Sequence, residues 1–153
     1  MFMSCIHVVA AAMLLQSPAP KPAAPAASAK GPAAPADITV TLTYAGKGPV
    51  DAQHKLLAWL FTDPNVTSGS RPVATQSSAR NGAAITFKDA PASPVYIFAV
   101  YDEKGGYDGI SGPPPAGVPS AIYRKLPKGP PTAVKAGSPP VKFTLTDAER
   151  WNK

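Results

Sequence analysis

Proline and glycine constrain this chain more than any other feature. Twenty prolines and twelve glycines are spread through 153 residues and punctuate almost every apolar run. Proline lacks an amide hydrogen and clashes with the preceding turn of a helix, so a helical bundle is a poor solution for such a sequence. Short elements joined by many turns remain, and the apolar runs between the turns read as strands. The first 36 residues differ in composition from the remainder, and the stretch from Asp37 onward has room for one domain with its own core.

The clearest strand starts at Asp37. Ile38, Val40, Leu42 and Tyr44 alternate with Thr39, Thr41 and Thr43, the period of a strand with one buried and one wetted face. Residues 55–62 (KLLAWLFT) and 95–101 (VYIFAVY) are instead apolar on both faces, which suits central strands covered on each side. Residues 72–78 alternate weakly, and Asn81-Gly82 supplies the positive φ angles of a tight hairpin leading to a partner strand at 84–88. Further short strands are expected at 121–123, 132–135 and 141–146. The fold class is therefore all-β: a two-sheet antiparallel β-sandwich of about seven strands, transthyretin-like or immunoglobulin-like.

Residues 6–15 (IHVVAAAMLL) form an apolar run of the length of a secretion-signal core and too short to span a bilayer. Residues 18–36 are almost entirely Pro and Ala, a composition that cannot bury a core and favours extended polyproline II. The expected organisation is a signal-peptide-like segment over 1–17, a Pro/Ala-rich disordered tether over 18–36, the sandwich over 37–147 and a polar C-terminal tail over 148–153. The expected location is extracytoplasmic, periplasmic or secreted. Cys5, the only cysteine, lies in the signal-like segment, so no disulfide, zinc-thiolate site or cysteine nucleophile is expected beyond it.

Formal charge is +6, of which Lys21 and Lys30 contribute two, leaving +4 from Asp37 onward. The cations are spread singly rather than in a stripe. Tracking a phosphate backbone needs clustering, so nucleic acid is not an expected partner.

The run Ala99-Val100-Tyr101-Asp102-Glu103-Lys104-Gly105-Gly106-Tyr107-Asp108-Gly109 carries a resemblance. An acidic, glycine-rich loop after a hydrophobic strand, preceded by the alternating strand and the Asn-Gly turn, resembles exported bacterial proteins of the transthyretin-like, or prealbumin-like, sandwich group. The likeness spans residues 37–146. Enzymes of that group hydrolyse a purine-breakdown product with histidines, an arginine and a terminal Tyr-Arg-Gly-Ser. This chain ends Arg150-Trp151-Asn152-Lys153, and its Tyr123-Arg124 is internal and continues into Lys125-Leu126, so that pattern does not carry over.

Candidate chemistry is sparse. His54 is the only histidine beyond the signal-like segment, and no Gly-x-Ser-x-Gly elbow accompanies it, so a non-catalytic protein is expected. Asp102, Glu103 and Asp108 offer three hard oxygen donors on a glycine-flexed turn, a possible calcium site. The competing reading is that Asp102 and Asp108 accept backbone N–H bonds and hold the loop. Alternating strand directions put loops 47–54, 79–83 and 102–119 at one end, so Asp51, His54, Asn81, Asp102 and Asp108 share a rim. Tyr107 and Tyr123, in or beside the long loop 102–119, are the aromatics expected to be exposed. Trp59, Phe61, Tyr96, Phe98 and Tyr101 make a rival set, a stacking platform for sugars if open and core if covered.

Three functions remain as expectations. The first is a binding or accessory module acting through loops 47–54 and 102–119 on an envelope protein or polymer. The others are a purely structural tethered domain and a hydrolase centred on His54. No cofactor other than calcium is expected.

Overall fold

The structure is a computed structural model that describes residues 36–152. The signal-like segment and the Pro/Ala-rich stretch up to residue 35 lie outside the described residues. The fold is all-β, with seven strands and no helix among the described residues: β1 Ala36–Tyr44, β2 Leu56–Phe61, β3 Ala74–Ser78, β4 Ala84–Ala90, β5 Tyr96–Tyr101, β6 Ser120–Ile122 and β7 Val141–Leu145. No helix of the described residues is therefore long and apolar enough to cross a membrane.

The strands form a three-stranded sheet in the order β4-β1-β7 and a four-stranded sheet in the order β3-β2-β5-β6. The alternation in β1 does what its period predicts: Ile38, Val40, Leu42 and Tyr44 are buried while the threonines between them are partly exposed. They meet Ile85 and Phe87 of β4, Phe143 and Leu145 of β7, and the inner faces of β2 and β5 in one cluster. Burying each large side chain stabilises the fold by about 1.5–3 kcal/mol.

Three expectations about pairing change. First, β1 and β7 run parallel, with Val40 opposite Val141 and Tyr44 opposite Leu145, so the sandwich is not purely antiparallel. The long segment after β6 carries the chain back to the end where β1 began, and β7 then has to travel the same way. Second, β3 and β4 do not form a hairpin, because they belong to different sheets. The Asn-Gly turn is used as a corner between sheets, with Gly82 at φ 74°. Asn81 then serves β1: its Oδ1 accepts the Tyr44 amide at 2.7 Å and its Nδ2 donates to the Tyr44 carbonyl at 2.8 Å. Third, the strand expected at 132–135 is reduced to one bridge between Val134 and Val95.

The bulge in β4 also has a local cause. Ile38 pairs with Phe87 and Ala36 with Ala90, so β4 holds one residue more than β1 over that span. Asp89, at φ 49°, takes up the extra residue, and Asp is among the few side chains that tolerate this region.

β2 is buried along its whole length because it is covered on both sides. Leu56, Ala58 and Leu60 face the other sheet. Leu57, Trp59 and Phe61 face outward and join Phe98, Val100, Val66, Val118 and Trp151 in a second cluster. Among the described residues no third sheet provides that cover; loops and the C-terminal residues do. The segment expected to be a polar tail is part of it. Trp151 is buried, its amide donates to the Val118 carbonyl at 2.9 Å and its carbonyl accepts the Gly117 amide at 2.7 Å. The apolar content of Trp151 outweighs its polar neighbours.

Candidate functional site

The strand directions bring loops 47–54, 79–83 and 102–119 to one end, and hydrogen bonds tie the first and last together. The Asp102 amide donates to the Lys55 carbonyl at 2.9 Å, and the Gly106 amide to the Gln53 carbonyl at 3.3 Å. Tyr44 and Tyr101, from opposite sheets, stack with ring centroids 3.9 Å apart beneath this rim. The Tyr101 hydroxyl donates to the Pro49 carbonyl at 2.7 Å, and that of Tyr44 to Asp147 Oδ1 at 2.5 Å. Burial, with the Asp147 charge adding, pushes the Tyr44 phenol well above its ordinary value. The same hydrogen bond, with the Lys47 amide, holds the Asp147 carboxyl below its ordinary value.

The acidic loop spends its carboxylates internally. Asp102 is 1% exposed, and its two oxygens accept the Gly105 amide at 3.0 Å and the Tyr107 amide at 2.8 Å. Asp108 accepts the amides of Ile110 at 2.8 Å and Ser111 at 2.9 Å, and also the Ser111 hydroxyl. Those bonds, the hydroxyl first, hold the Asp108 carboxyl down at about 2. Glu103 turns away to Arg150 at 2.9 Å. Among the described residues no three His, Cys, Asp or Glu side chains converge as metal ligands would. Asp102 and Asp108 thus accept the backbone amides of their own loop, while Glu103 pairs with Arg150.

Of the other expected rim residues, Asp51 caps its own turn. Its Oδ1 accepts the amides of Gln53 at 2.9 Å and His54 at 2.8 Å and lies 3.1 Å from His54 Nδ1. The His54 and Gln53 amides lower the Asp51 carboxyl. His54, Tyr107 and Asp108 line one hollow of about 490 Å³ with Lys55 and Lys104, and no Ser, Thr or Cys lines it. The Asp51–His54 pair thus has an orientation but no hydroxyl or thiol of that kind in the hollow to activate. Burial first, then Asp108 and Asp102, push the Tyr107 phenol up to about 12. Tyr123 is not at this end. Its amide donates to the Ile97 carbonyl at the start of β5, and its ring packs edge-on to Phe143, 5.9 Å between centroids.

A second concavity lies on the outward face of the four-stranded sheet. It is lined by the largely buried rings of Trp59, Phe61, Phe98 and Trp151, by the 66–72 loop with Thr75, and by Tyr107 and residues 109–114; the volume is about 630 Å³. The rival aromatic set is thereby divided: Trp59, Phe61 and Phe98 face this groove, while Tyr101 is buried between the sheets.

The 102–119 loop is pinned to the outward face of the sheet at Gly109. The Gly109 carbonyl accepts the Trp59 Nε1 proton at 2.9 Å. A Cβ on Gly109 would lie 2.6 Å from Leu57 Cδ2, and its φ is +77°, so only glycine lets the backbone approach this closely. Tyr107 donates to the Gly112 carbonyl at 2.6 Å and stands 6.1 Å from Trp59, centroid to centroid. Arg150 holds the far end of the loop through the Gly117 carbonyl at 2.6 Å.

Two groups in the groove have no such use. Trp151 Nε1 is buried and no acceptor among the described residues meets it. An orphaned buried N–H costs about 1–3 kcal/mol. Arg71, exposed on the groove wall, forms no ion pair among the described residues and is the only charged residue lining the groove. Neither residue stands out in sequence. Arg71 is one of many scattered cations, and the only clue to Trp151 is a large indole in an otherwise polar terminal stretch.

An all-β module with a braced rim and an aromatic groove is the class that the fold and site define. No protein-family model, no curated protein and no solved structure matches the chain.

Proposed function

We propose that this protein is a non-catalytic extracytoplasmic binding module of transthyretin-like build that engages an envelope polymer or protein through its 102–119 loop, with loop 47–54 as its brace. One observation carries the reading. The loop is fastened at Asp102, Gly109 and Gly117 and still stands off the sheet far enough to leave a groove of about 630 Å³. Loops held by a rigid scaffold are the usual place for recognition, and pockets of ~300–1,000 Å³ are the usual size for small ligands or short segments. The apolar run at 6–15 and the Pro/Ala-rich stretch after it support a position outside the cytoplasm.

The test is co-sedimentation of the full chain with washed, insoluble envelope material. Replacing residues 110–114 by a Gly-Ser segment keeps Asp102 and Gly109, so the fold should persist by near-ultraviolet circular dichroism while sedimentation is lost. Equal sedimentation of the parent and the loop variant would overturn the reading in favour of a purely structural domain.

A further inference from the structure

Positive charge is unevenly placed along the chain. Residues 109–146 carry five cations, Arg124, Lys125, Lys128, Lys135 and Lys142, and no carboxylate. The rest of the chain from Asp37 onward has eight cations against nine carboxylates, so the whole +4 comes from this one stretch. Arg124 pairs with Glu149 at 3.4 Å, while the four lysines are exposed and form no ion pair among the described residues. Within the stretch, residues 123–132 form a braced loop. The Thr132 amide donates to the Tyr123 carbonyl at 2.9 Å, and the Lys125 amide to Thr132 Oγ1 at 2.9 Å. Its tip is the turn Leu126-Pro127-Lys128-Gly129, closed by the Gly129 amide on the Leu126 carbonyl at 2.9 Å. Proline second and glycine fourth are the residues such a turn favours, so the tip is stiff before anything touches it. Leu126 at that tip is 68% exposed, one of three large apolar side chains left open among the described residues. Lys142 joins Arg124 and Pro127 around a hollow at the base of the loop.

We infer that this tip docks the domain on an anionic phospholipid bilayer, with Leu126 entering the boundary between headgroups and acyl chains and Lys125, Lys128 and Lys142 meeting the lipid phosphates. A single exposed leucine is ordinary on a protein surface. This one stands on a braced turn between two unpaired lysines, in a stretch with no carboxylate of its own to repel an anionic surface. An interfacial anchor combines those parts: an apolar side chain that leaves water, and cations whose stems lie along the apolar surface while their ammonium groups stay wet. Ordering by the turn lowers the cost of presenting the leucine. An acidic polymer would meet the same lysines and leave Leu126 in water, so the pairing of charge with an apolar tip favours a bilayer. The place of the loop in the fold agrees. The Tyr123 amide donates to the Ile97 carbonyl at the start of β5, and the Gly137 amide to the Asp37 carbonyl at the start of β1, so the tip lies at the end opposite the rim. A domain docked there turns loops 47–54 and 102–119 away from the lipid. This second surface is separate from the 102–119 loop and works whether or not that loop has a ligand.

The full chain is titrated with vesicles of phosphatidylcholine alone and of phosphatidylcholine mixed with phosphatidylglycerol, and bound protein is measured by flotation. The expected result is roughly tenfold or more tighter binding to the anionic vesicles, with that excess lost at high salt. Each cation at such a surface is worth about fivefold, so Lys125→Ala combined with Lys128→Ala should weaken binding by roughly twentyfold. Leu126→Ser should weaken it by about fivefold or more. Melting temperatures should not move, because all three side chains are exposed. Leu126→Trp provides a local reading, since Trp59 and Trp151 are buried. Its emission should shift to the blue on anionic vesicles and be quenched by bromine-labelled acyl chains, whatever other part of the chain touches the lipid. No excess on anionic vesicles, or an emission from the Leu126→Trp variant that those vesicles leave unmoved, would overturn the inference. Undiminished binding of Leu126→Ser alongside loss in the lysine variant would also overturn it, and would assign the lysines to an acidic polymer instead.

Discussion

The rim and the outward groove lie on the same domain and use their polar groups in opposite ways. At the rim nearly every carboxylate is consumed by the protein: Asp102 and Asp108 by loop amides, Asp51 by its own turn, Asp147 by Tyr44 and Lys47. In the groove the indole of Trp151 and the guanidinium of Arg71 go unmatched among the described residues. The two tryptophans repeat the contrast at the scale of one atom, since Trp59 donates to Gly109 and Trp151 to nothing among the described residues. A cluster of charged residues in sequence therefore points to where a loop is built, whereas the unmatched indole of Trp151 belongs to the buried cluster behind the sheet.

The sharpest way to break this contrast is to dislodge the loop that makes the groove. Gly109→Val combines a left-handed backbone with a collision against Leu57, so unfolding free energy should fall by roughly 2–4 kcal/mol in urea titration. Asp102→Ala comes next. It strands the amides of Gly105 and Tyr107, and a loss of about 2 kcal/mol is expected, with Asp102→Asn losing less because one acceptor oxygen survives. If Asp102→Ala were neutral, the rim would not be satisfying its own polar groups in the way its hydrogen bonds imply.

The tryptophans permit a paired test. Trp59→Phe removes a made hydrogen bond and Trp151→Phe removes an unmade one, so the first should destabilise by about 1 kcal/mol more than the second. Acid provides a finer probe. The folded carboxyls of Asp108 and Asp147 sit below their ordinary value of 3.8, so their contribution is fully present above that pH. It is lost as pH falls, for Asp108 down to about 2. Urea midpoints should decline from about pH 5 toward about pH 2, and Asp108→Asn should flatten part of that slope. The smallest effect is assigned to Arg71→Ala, which should stay within ~0.5 kcal/mol of the parent because the side chain is exposed and unpaired among the described residues.

The strands were legible in sequence where side-chain period carries the information. Threonine alternation located β1, and the doubly apolar runs located β2 and β5 as central strands. Strand partnership was less legible. Asn81-Gly82 has the turn chemistry of a hairpin and of a corner alike, and the choice depends on which sheet β4 enters, a long-range matter. The direction of β7 is set by the path of the chain after β6, on which local pattern is silent. For the site, alternating strand direction brings loops 47–54 and 102–119 together, but a count of carboxylates as ligand donors leaves out the neighbouring amides that occupy them. Trp151 and Arg71 gain meaning only when the fold brings residues near 59, 71, 109 and 151 to one concavity.

The parallel pairing of β1 with β7 has a kinetic consequence. β1 is the middle strand of its sheet, and one of its two neighbours is the last strand in the chain. Joining Val40 to Val141 closes a loop of about a hundred residues, among the slowest contacts a domain of this size can make. Until β7 docks, β1 presents an unpaired edge with a row of large apolar side chains beside it, the surface on which strands of other chains add. A chain cut before Val141 is held in that state permanently and should aggregate where the parent refolds. The last strand thus acts as the latch of the domain, and its arrival marks when the protein stops being sticky.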